Sequence, residues 1–373
     1  MTRNILFLTG TRADFGKLEP LSTAAQNNGF SVTFFVTGMH MLERYGMTKA
    51  EVHRVEGAKV YEFLNQRHGD GQDVILAKTI IGFSDFIAEN RPDLIVVHGD
   101  RIEALAGAMV AATNYIPSAH IEGGEVSGTI DEIFRHCNTK LAAHHFVSSD
   151  QAKSRVLAMG EAGETVHVIG SPELDFHSEP SGITIHQVRE RYDIEFEDYG
   201  IAIFHPVTSE QTTIGIQAQI LFDALTASRK NFVVIAPNND PGSEHIFDIL
   251  KQLPKRQFRI LPSMRFSHFS ELMKNASCLV GNSSAGVREA PFIGIPSLDV
   301  GTRQTNRAQS KSVRMTNGHD QNSITRFLDE KWGLNYKKHA GFGEGKAADR
   351  FINVLNRSSF WNSNLQKAFN DNV

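Results

Sequence analysis

LIVVHGDRIEALAGAMVAATNYIPSAHIEGGE, Leu94–Glu125, is the stretch that decides the fold. It opens on an apolar run, Leu94–Val97, and turns through the polar HGDR, His98–Arg101. A helical stretch follows, and then a second apolar run, Pro117–Ile121, enters EGGEVSGT. Short apolar runs alternating with helical stretches predict βαβ units around a buried parallel sheet.

Working outward, the same unit recurs. Ile5–Leu8 precedes GTRADFGK, Val32–Val36 precedes TGMH, His145–Val147 precedes SSDQ and Val166–Ile169 precedes GSPE. Further on, Ile201–Phe204 precedes HPVTSE, Phe232–Ala236 precedes PNNDPGS, Cys278–Val280 precedes GNSSAGVRE and Ser297–Val300 precedes GTRQ. A stretch rich in Pro, Ser and Gly, Gly170–Gly182, separates the two sets. The expected fold class is therefore α/β, with two Rossmann-like parallel-sheet domains facing a central cleft. The expected domains are 1–175 and 176–357. A terminal helix, 358–373, carrying Phe360, Trp361 and Phe369, is expected to pack back on the first.

The chain has 373 residues, a length suited to two domains, with 40% hydrophobic and 21% charged residues. Its formal net charge is -4 and no polybasic block appears, which argues against nucleic acid as a partner. The run Ile5–Leu8 is too short for a signal peptide or a membrane span, so the cytoplasm is expected. The two cysteines, Cys137 and Cys278, read as reduced buried thiols.

Ligands of open parallel sheets bind beyond the C-terminal strand ends, and the unusual polar residues follow the apolar runs. GNSSAGVRE, Gly281–Glu289, follows a strand and is expected to open a helix. Small residues there let backbone N–H groups approach an anion, favoured by the helix N-terminus. Ser283 and Ser284 add hydroxyls for a diphosphate, and Glu289 offers a carboxylate to ribose hydroxyls. The plainer account is an N-cap, Asn282 or Ser283, with a solvated Glu. Arg12 in GTRADFGK can clamp a phosphate bidentately, Arg303 in GTRQ gives a second cation, and Asn238 in PNNDPGS gives a donor.

HGDR and HIEGGEVSGTIDEIFRH put Asp100 and Glu122 at two adjacent strand ends, with Asp131 in reach. Clustered carboxylates suit proton transfer and stabilisation of a cationic transition state, whereas helix caps are the bland alternative. His205 in HPVT stands at a strand end, where a lone His is more often structural. The chain carries neither GxGxxG nor GxxxxGKS, so neither a nicotinamide site nor a P-loop is indicated, and no trusted metal spacing is present.

GTRADFGK, TGMH, HGDR, HIEGGEVSGT, Arg135–His136, HPVT, PNND, GNSSAGVRE and GTRQ occur in this order from about Asn4 to Arg307. In this the chain resembles the hydrolysing UDP-N-acetylglucosamine 2-epimerases of bacterial sialic-acid synthesis and the epimerase half of the bifunctional animal enzyme. The longer HIEGGEVSGT is similar to the hydrolysing branch. The resemblance implies the GT-B fold with UDP in the cleft, no cofactor, no membrane or nucleic-acid partner, and a homodimer. It implies that Arg12, His205, Asn238, Ser283, Ser284, Glu289 and Arg303 serve the nucleotide, with His205 also counted among the catalytic residues. It assigns Asp100, Glu122 and Asp131 to acid–base work around the sugar. A similar branch acts on UDP-2,4-diacetamido-2,4,6-trideoxyglucose and shares these motifs. A glycosyltransferase of the same fold, or a silent UDP-sugar sensor, is the rival reading.

The sugar C2–H is scarcely acidic until UDP leaves C1. The expected course is anti-elimination of UDP to 2-acetamidoglucal, then hydration to N-acetylmannosamine.

Overall fold

The structure, a computed structural model, describes residues 2–67, 69–127, 130–178, 180–307, 310–362 and 364–368. Gly128 and Thr129 of HIEGGEVSGT and the aromatic Phe369 lie outside the described residues.

The apolar runs become strands. In chain order these are β1 (Asn4–Thr9), β2 (Ser31–Val36), β3 (Lys59–Glu62), β4 (Leu94–His98), β5 (Ser118–Ile121), β6 (His144–Val147) and β7 (Val166–Val168). Then come β8 (Gly200–Ile203), β9 (Phe232–Ile235), β10 (Phe258–Leu261), β11 (Leu279–Gly281), β12 (Ser297–Val300) and β13 (Val313–Thr316). Among the described residues they form two sheets, ordered β3-β2-β1-β4-β5-β6-β7 and β10-β9-β8-β11-β12-β13. Every pairing within them is parallel, as in β1 with β4, β4 with β5, and β11 with β8 and β12. In each sheet the order reverses beside its first strand, β1 or β8, the switch point where strand ends diverge and ligands of such sheets bind.

Both faces of the central strands are covered, so their residues read as unbroken apolar runs. Ile5 and Phe7 of β1 pack with Phe15, Leu18 and Phe351 on one side of the first sheet. Leu6 and Leu8 pack with Phe83, Ile95 and Val97 on the other. The second sheet repeats this with Ala202 and Val280 on one face and Ile201, Ile203 and Leu279 on the other.

The chain divides into two compact units. The first comprises Met1–Glu125, Asp131–Asp175 and Phe342–Val373; the second comprises Val126–Ile130 and Phe176–Gly341. The stretch that returns to the first unit thus begins at Phe342, ahead of the expected Ser358. Phe351 and Phe360 both enter its core, Trp361 stacks on Phe30 at 5.9 Å, and the Arg3 guanidinium lies 4.1 Å from the Trp361 ring. The terminal helix is shorter than expected: it spans Ser358–Trp361, and residues 364–368 carry no helix. Where the chain comes back, the Ser171 N–H donates to the Phe342 carbonyl at 2.7 Å. Gly343, at φ +123°, faces Gly170 there, and an added Cβ would stand 2.8 Å from the Gly170 Cα, so a side chain is excluded.

Cys278 is buried, and burial pushes its thiol pKa up; Cys137 is exposed, contrary to expectation, because it faces outward on the helix Asp131–Leu141. Among the described residues no helix is long and apolar enough to cross a membrane.

Candidate functional site

In the first unit the end of β1 is built as a helix start. Thr11 caps the helix Arg12–Asn27, and the Asp14 side chain returns to the backbone N–H groups of Gly10 and Thr11 at 3.0 and 3.2 Å. Burial raises the Asp14 pKa to about 6, and burial lowers that of the neighbouring His40 of TGMH to about 3. The neutral His40 ring spans the Thr9 and Thr48 hydroxyls at 2.9 and 2.8 Å, tying the turn to the end of β2. Arg12 therefore sits at the first helical position of a rigid turn, and Lys17 follows on the same helix.

Glu122 lies just past β5, 3% exposed, at φ +63°. A side chain in the left-handed region costs of order 1 kcal/mol or more, and such strain concentrates at functional sites. The carboxylate is held on both oxygens. Its Oε2 accepts from Lys17 Nζ at 2.9 Å and from His98 Nε2 at 3.1 Å, and its Oε1 accepts from the Ser171 hydroxyl. Ser171 lies 2.8 Å from Glu173, which is also 3.4 Å from Lys17. These two buried carboxylates share one ammonium, which favours their charged forms.

Asp100 follows β4. The turn is fixed by the Gly99 carbonyl, which lies 2.8 Å from His120 Nε2 and accepts from Asn138 Nδ2 at 3.1 Å. Burial lowers the His120 pKa to about 3, so this ring is a neutral strut. The Asp100 carboxylate pairs with the Arg135 guanidinium, whose Nη1 also donates to the Glu125 carbonyl at 3.2 Å. Asp131 opens the helix that carries Arg135 one turn later, so those two residues share a helix face. The structure thus brings Glu122 into one charged cluster and Asp100 into a pair with Arg135 on Asp131's helix.

In the second unit, the Asn282 amide binds both backbone groups of His205. The His205 N–H donates to Oδ1 at 2.7 Å, and Nδ2 donates to the His205 carbonyl at 2.8 Å. The Asn238 N–H then donates to His205 Nδ1 at 3.1 Å. An accepting Nδ1 leaves the neutral ring's hydrogen on Nε2, which makes His205 a donor. The Asn238 side chain is turned to Asp240, so its backbone, rather than its amide, does the positioning.

GNSSAGVRE opens its helix later than the sequence suggests. It forms a 3₁₀ turn, Ser284–Gly286, and then the helix Glu289–Ile293, kept short by Gly294 at φ +99°. The anion argument therefore rests on individual donors and not on a helix dipole. Among the described residues, the Ser283 and Ser284 N–H groups and the Ser284 hydroxyl donate to nothing. Successive free N–H groups of this kind form an anion-binding concavity. Gly281 makes the turn possible: at φ +137° an added Cβ would lie 1.9 Å from the Ile203 carbonyl oxygen. Arg303 donates through Nη1 to the Asn282 carbonyl at 3.2 Å, while its buried Nε has no partner among the described residues. Glu289 is 5% exposed, and its Oε1 lies 3.1 Å from His177 Nε2.

The second unit also holds a cavity of about 500 Å³ that includes Glu210, Thr302, Asn317 and His319; none of the residues singled out in the sequence lines it. Residues that sequence reasoning did not assign are Lys17, His98, Ser171, Glu173, Arg135 and His177. Lys17, His98 and Arg135 stood inside quoted motifs, and their signal was the apolar strand or helical spacing that fixed their neighbours. Ser171, Glu173 and His177 lay in a stretch that reads as linker.

The UDP-N-acetylglucosamine 2-epimerase family matches residues 22–356. The chain belongs to this family. Within it, a UDP-N-acetylglucosamine 2-epimerase of Neisseria meningitidis serogroup B is 42% identical over 374 residues, covering 99% of each chain. The hydrolyzing UDP-N,N'-diacetylbacillosamine 2-epimerase of Legionella pneumophila is 31% identical, covering 95% of this chain and 96% of its own. The solved structure of the Methanocaldococcus jannaschii UDP-GlcNAc 2-epimerase in complex with UDP-GlcNAc and UDP aligns with TM-score 0.78 at 20% identity, over 94% of this chain and 99% of that one. At that identity it establishes the epimerase fold, the two parallel sheets of GT-B enzymes.

Proposed function

We propose that the chain is a hydrolysing UDP-N-acetylglucosamine 2-epimerase, converting UDP-N-acetylglucosamine and water to UDP and N-acetylmannosamine, the first step of sialic-acid synthesis. The observation that carries this reading is the full-length likeness to the Neisseria enzyme. The residues at the strand ends are of the kinds the reaction needs.

In this reading, residues 176–357 serve UDP and residues 1–175 serve the sugar. The C1–O bond breaks, and its electron pair leaves with the β-phosphate of UDP. The Ser283 and Ser284 N–H and O–H groups, the His205 Nε2–H, Arg12 and Arg303 stabilise the departing diphosphate. Asn238 holds His205 in that tautomer, and Glu289 accepts from the ribose hydroxyls. A carboxylate among Asp100, Glu122 and Asp131 takes the C2 proton, which closes the C1–C2 double bond of 2-acetamidoglucal. Water then adds its oxygen to C1, and a proton returns to C2 from the opposite face. Lys17 and His98 hold Glu122 in place, and Arg135 holds Asp100. No step calls for a nicotinamide or a metal. The setting is a cytoplasmic homodimer, checked by light scattering of the purified chain.

The likeness to the Legionella enzyme favours a second reading, the same chemistry on the 2,4-diacetamido-2,4,6-trideoxy sugar. Proton NMR in D2O with each UDP-sugar separates them. UDP-N-acetylglucosamine should give UDP and N-acetylmannosamine carrying deuterium at C2. Turnover of the diacetamido sugar alone would transfer the assignment to the second reading.

A further inference from the structure

Glu289 is a buried carboxylate on a helix of only five residues, Glu289–Ile293, so its own backbone does little to fix its side chain. What holds it comes from elsewhere in the second unit. His177 Nε2 lies 3.1 Å from Glu289 Oε1, and His177 Nδ1 lies 2.8 Å from the Ser270 hydroxyl. All three side chains are buried, with Ser270 at 0% exposure. The ring is walled by Phe266 and Phe292, at centroid distances of 5.9 and 6.4 Å.

The direction of the chain of bonds follows from donor and acceptor capacity. An ionised carboxylate can only accept, so Nε2 carries the hydrogen that binds Oε1. Nδ1 lies 2.8 Å from the Ser270 hydroxyl, which also donates to the Phe176 carbonyl at 3.2 Å. The aromatic walls and the Nδ1 contact leave the imidazole one orientation. One carboxylate oxygen is thus tied down, and Oε2 has no partner among the described residues. A carboxylate anchored at one oxygen and open at the other is shaped to read a vicinal diol, whose two O–H groups both donate.

We propose that His177 is a positioning residue, fixing the Glu289 carboxylate so that it recognises the ribose 2′,3′-diol of the nucleotide. The inference rests on the nucleotide-side assignment of Glu289 given above. His177 touches no substrate; it acts through Glu289. The residue stands in a stretch whose sequence reads as a linker, and only the fold brings it to Glu289.

The test compares UDP with 2′,3′-dideoxy-UDP by calorimetry, in the wild type and in His177→Phe and His177→Gln. Losing one bond to a charged acceptor typically weakens binding by roughly 10- to 100-fold. His177→Phe should weaken UDP binding by about tenfold and leave dideoxy-UDP binding nearly unchanged, because that ligand has no diol to read. His177→Gln, which keeps an N–H donor, should recover most of the UDP affinity. In turnover the loss should fall on KM more than on kcat. Equal weakening of both ligands in His177→Phe, or failure of the Gln variant to recover, would overturn the positioning role. A wild-type chain that binds neither ligand would instead overturn the nucleotide-site reading beneath it.

Discussion

The strand ends of the first unit and those of the second are built from the same βαβ units, yet they treat charge in opposite ways. In the first, the carboxylates already have partners: the Lys17 ammonium and the His98 ring on Glu122, and the Arg135 guanidinium on Asp100. In the second, donors on one turn are left unspent among the described residues: the Ser284 hydroxyl and the Ser283 and Ser284 N–H groups. A pre-paired cluster suits groups that exchange protons among themselves. An array of open donors suits an incoming anion. The proposed function puts chemistry at the first set and binding at the second, and the contrast is in keeping with that division.

The sharpest way to break that contrast is to remove single charges from the paired set. Asp100→Asn, Glu122→Gln and Asp131→Asn keep shape and remove basicity. Loss of a proton-transfer group costs ~10²–10⁴-fold in rate, so each should cut turnover on that scale. UDP affinity by calorimetry should barely move, and 2-acetamidoglucal should accumulate in at least one variant. Full activity in all three would refute the site; inactivity with lost UDP binding would place these residues in the fold or the nucleotide site.

The mirror experiment acts on the second unit. Arg303→Met keeps much of the stem and removes the guanidinium. A hydrogen bond to a charged group is worth about 1.5–3 kcal/mol, so UDP affinity should fall by roughly 10- to 100-fold. The ratio of glycal to final product should stay as in the wild type. A changed ratio at normal affinity would erase the distinction between the two sets.

How far this division was legible in the sequence depends on burial. The central strands β1, β4, β8 and β11 are covered on both faces and appear as plain apolar runs, while β5 buries Ser118 and His120 on one face. The strands left unread, β3, β10 and β13, each stand at a sheet edge. β3 is Lys59–Glu62, mostly exposed, and β13 reads Val-Arg-Met-Thr; an edge strand has no reason to be continuously apolar. Asp100, Glu122 and the turn after Gly281 stood out in the sequence because they follow central strands directly, whereas Asp131 opens the helix Asp131–Leu141. Ser171, Glu173 and His177 did not stand out, because contacts distant in sequence make them buried. The helix expected to open at GNSSAGVRE begins only at its last residue, Glu289, because the Ser283 cap tightens into a 3₁₀ turn first, and Gly294 then stops it.

A smaller test uses an acid of the second unit that is unlike any in the first. Asp299 on β12 is 2% exposed, and neither oxygen has a hydrogen-bond partner among the described residues. Burial raises its pKa from 3.8 to about 7, against the lowering pull of Arg303 and Arg307. A raised acid favours the fold fully below the unfolded pKa, and that contribution is lost as pH climbs towards about 7. Asp299→Asn should therefore unfold at a higher temperature than the wild type at pH 8. The difference should shrink to nothing once the pH falls well below 3.8, where Asp299 is neutral in the folded and the unfolded chain. A constant difference across that window, by calorimetric melting, would mean the carboxyl is paired in solution, like those of the first unit.

The second unit's long segment, Phe176–Gly341, is unbroken, whereas the first takes up the chain again at Phe342. During synthesis the ribosome delivers residues at about 5–20 per second and domains fold as they emerge. The sheet β3-β2-β1-β4-β5-β6-β7 has all its strands early, but its core still lacks Phe351 and Phe360. It must wait, with the faces those rings will cover still wet, while the whole of the later sheet is made. The half of the molecule that is translated first is thus the half that can finish last, and the nascent chain carries an open apolar face for most of its time on the ribosome.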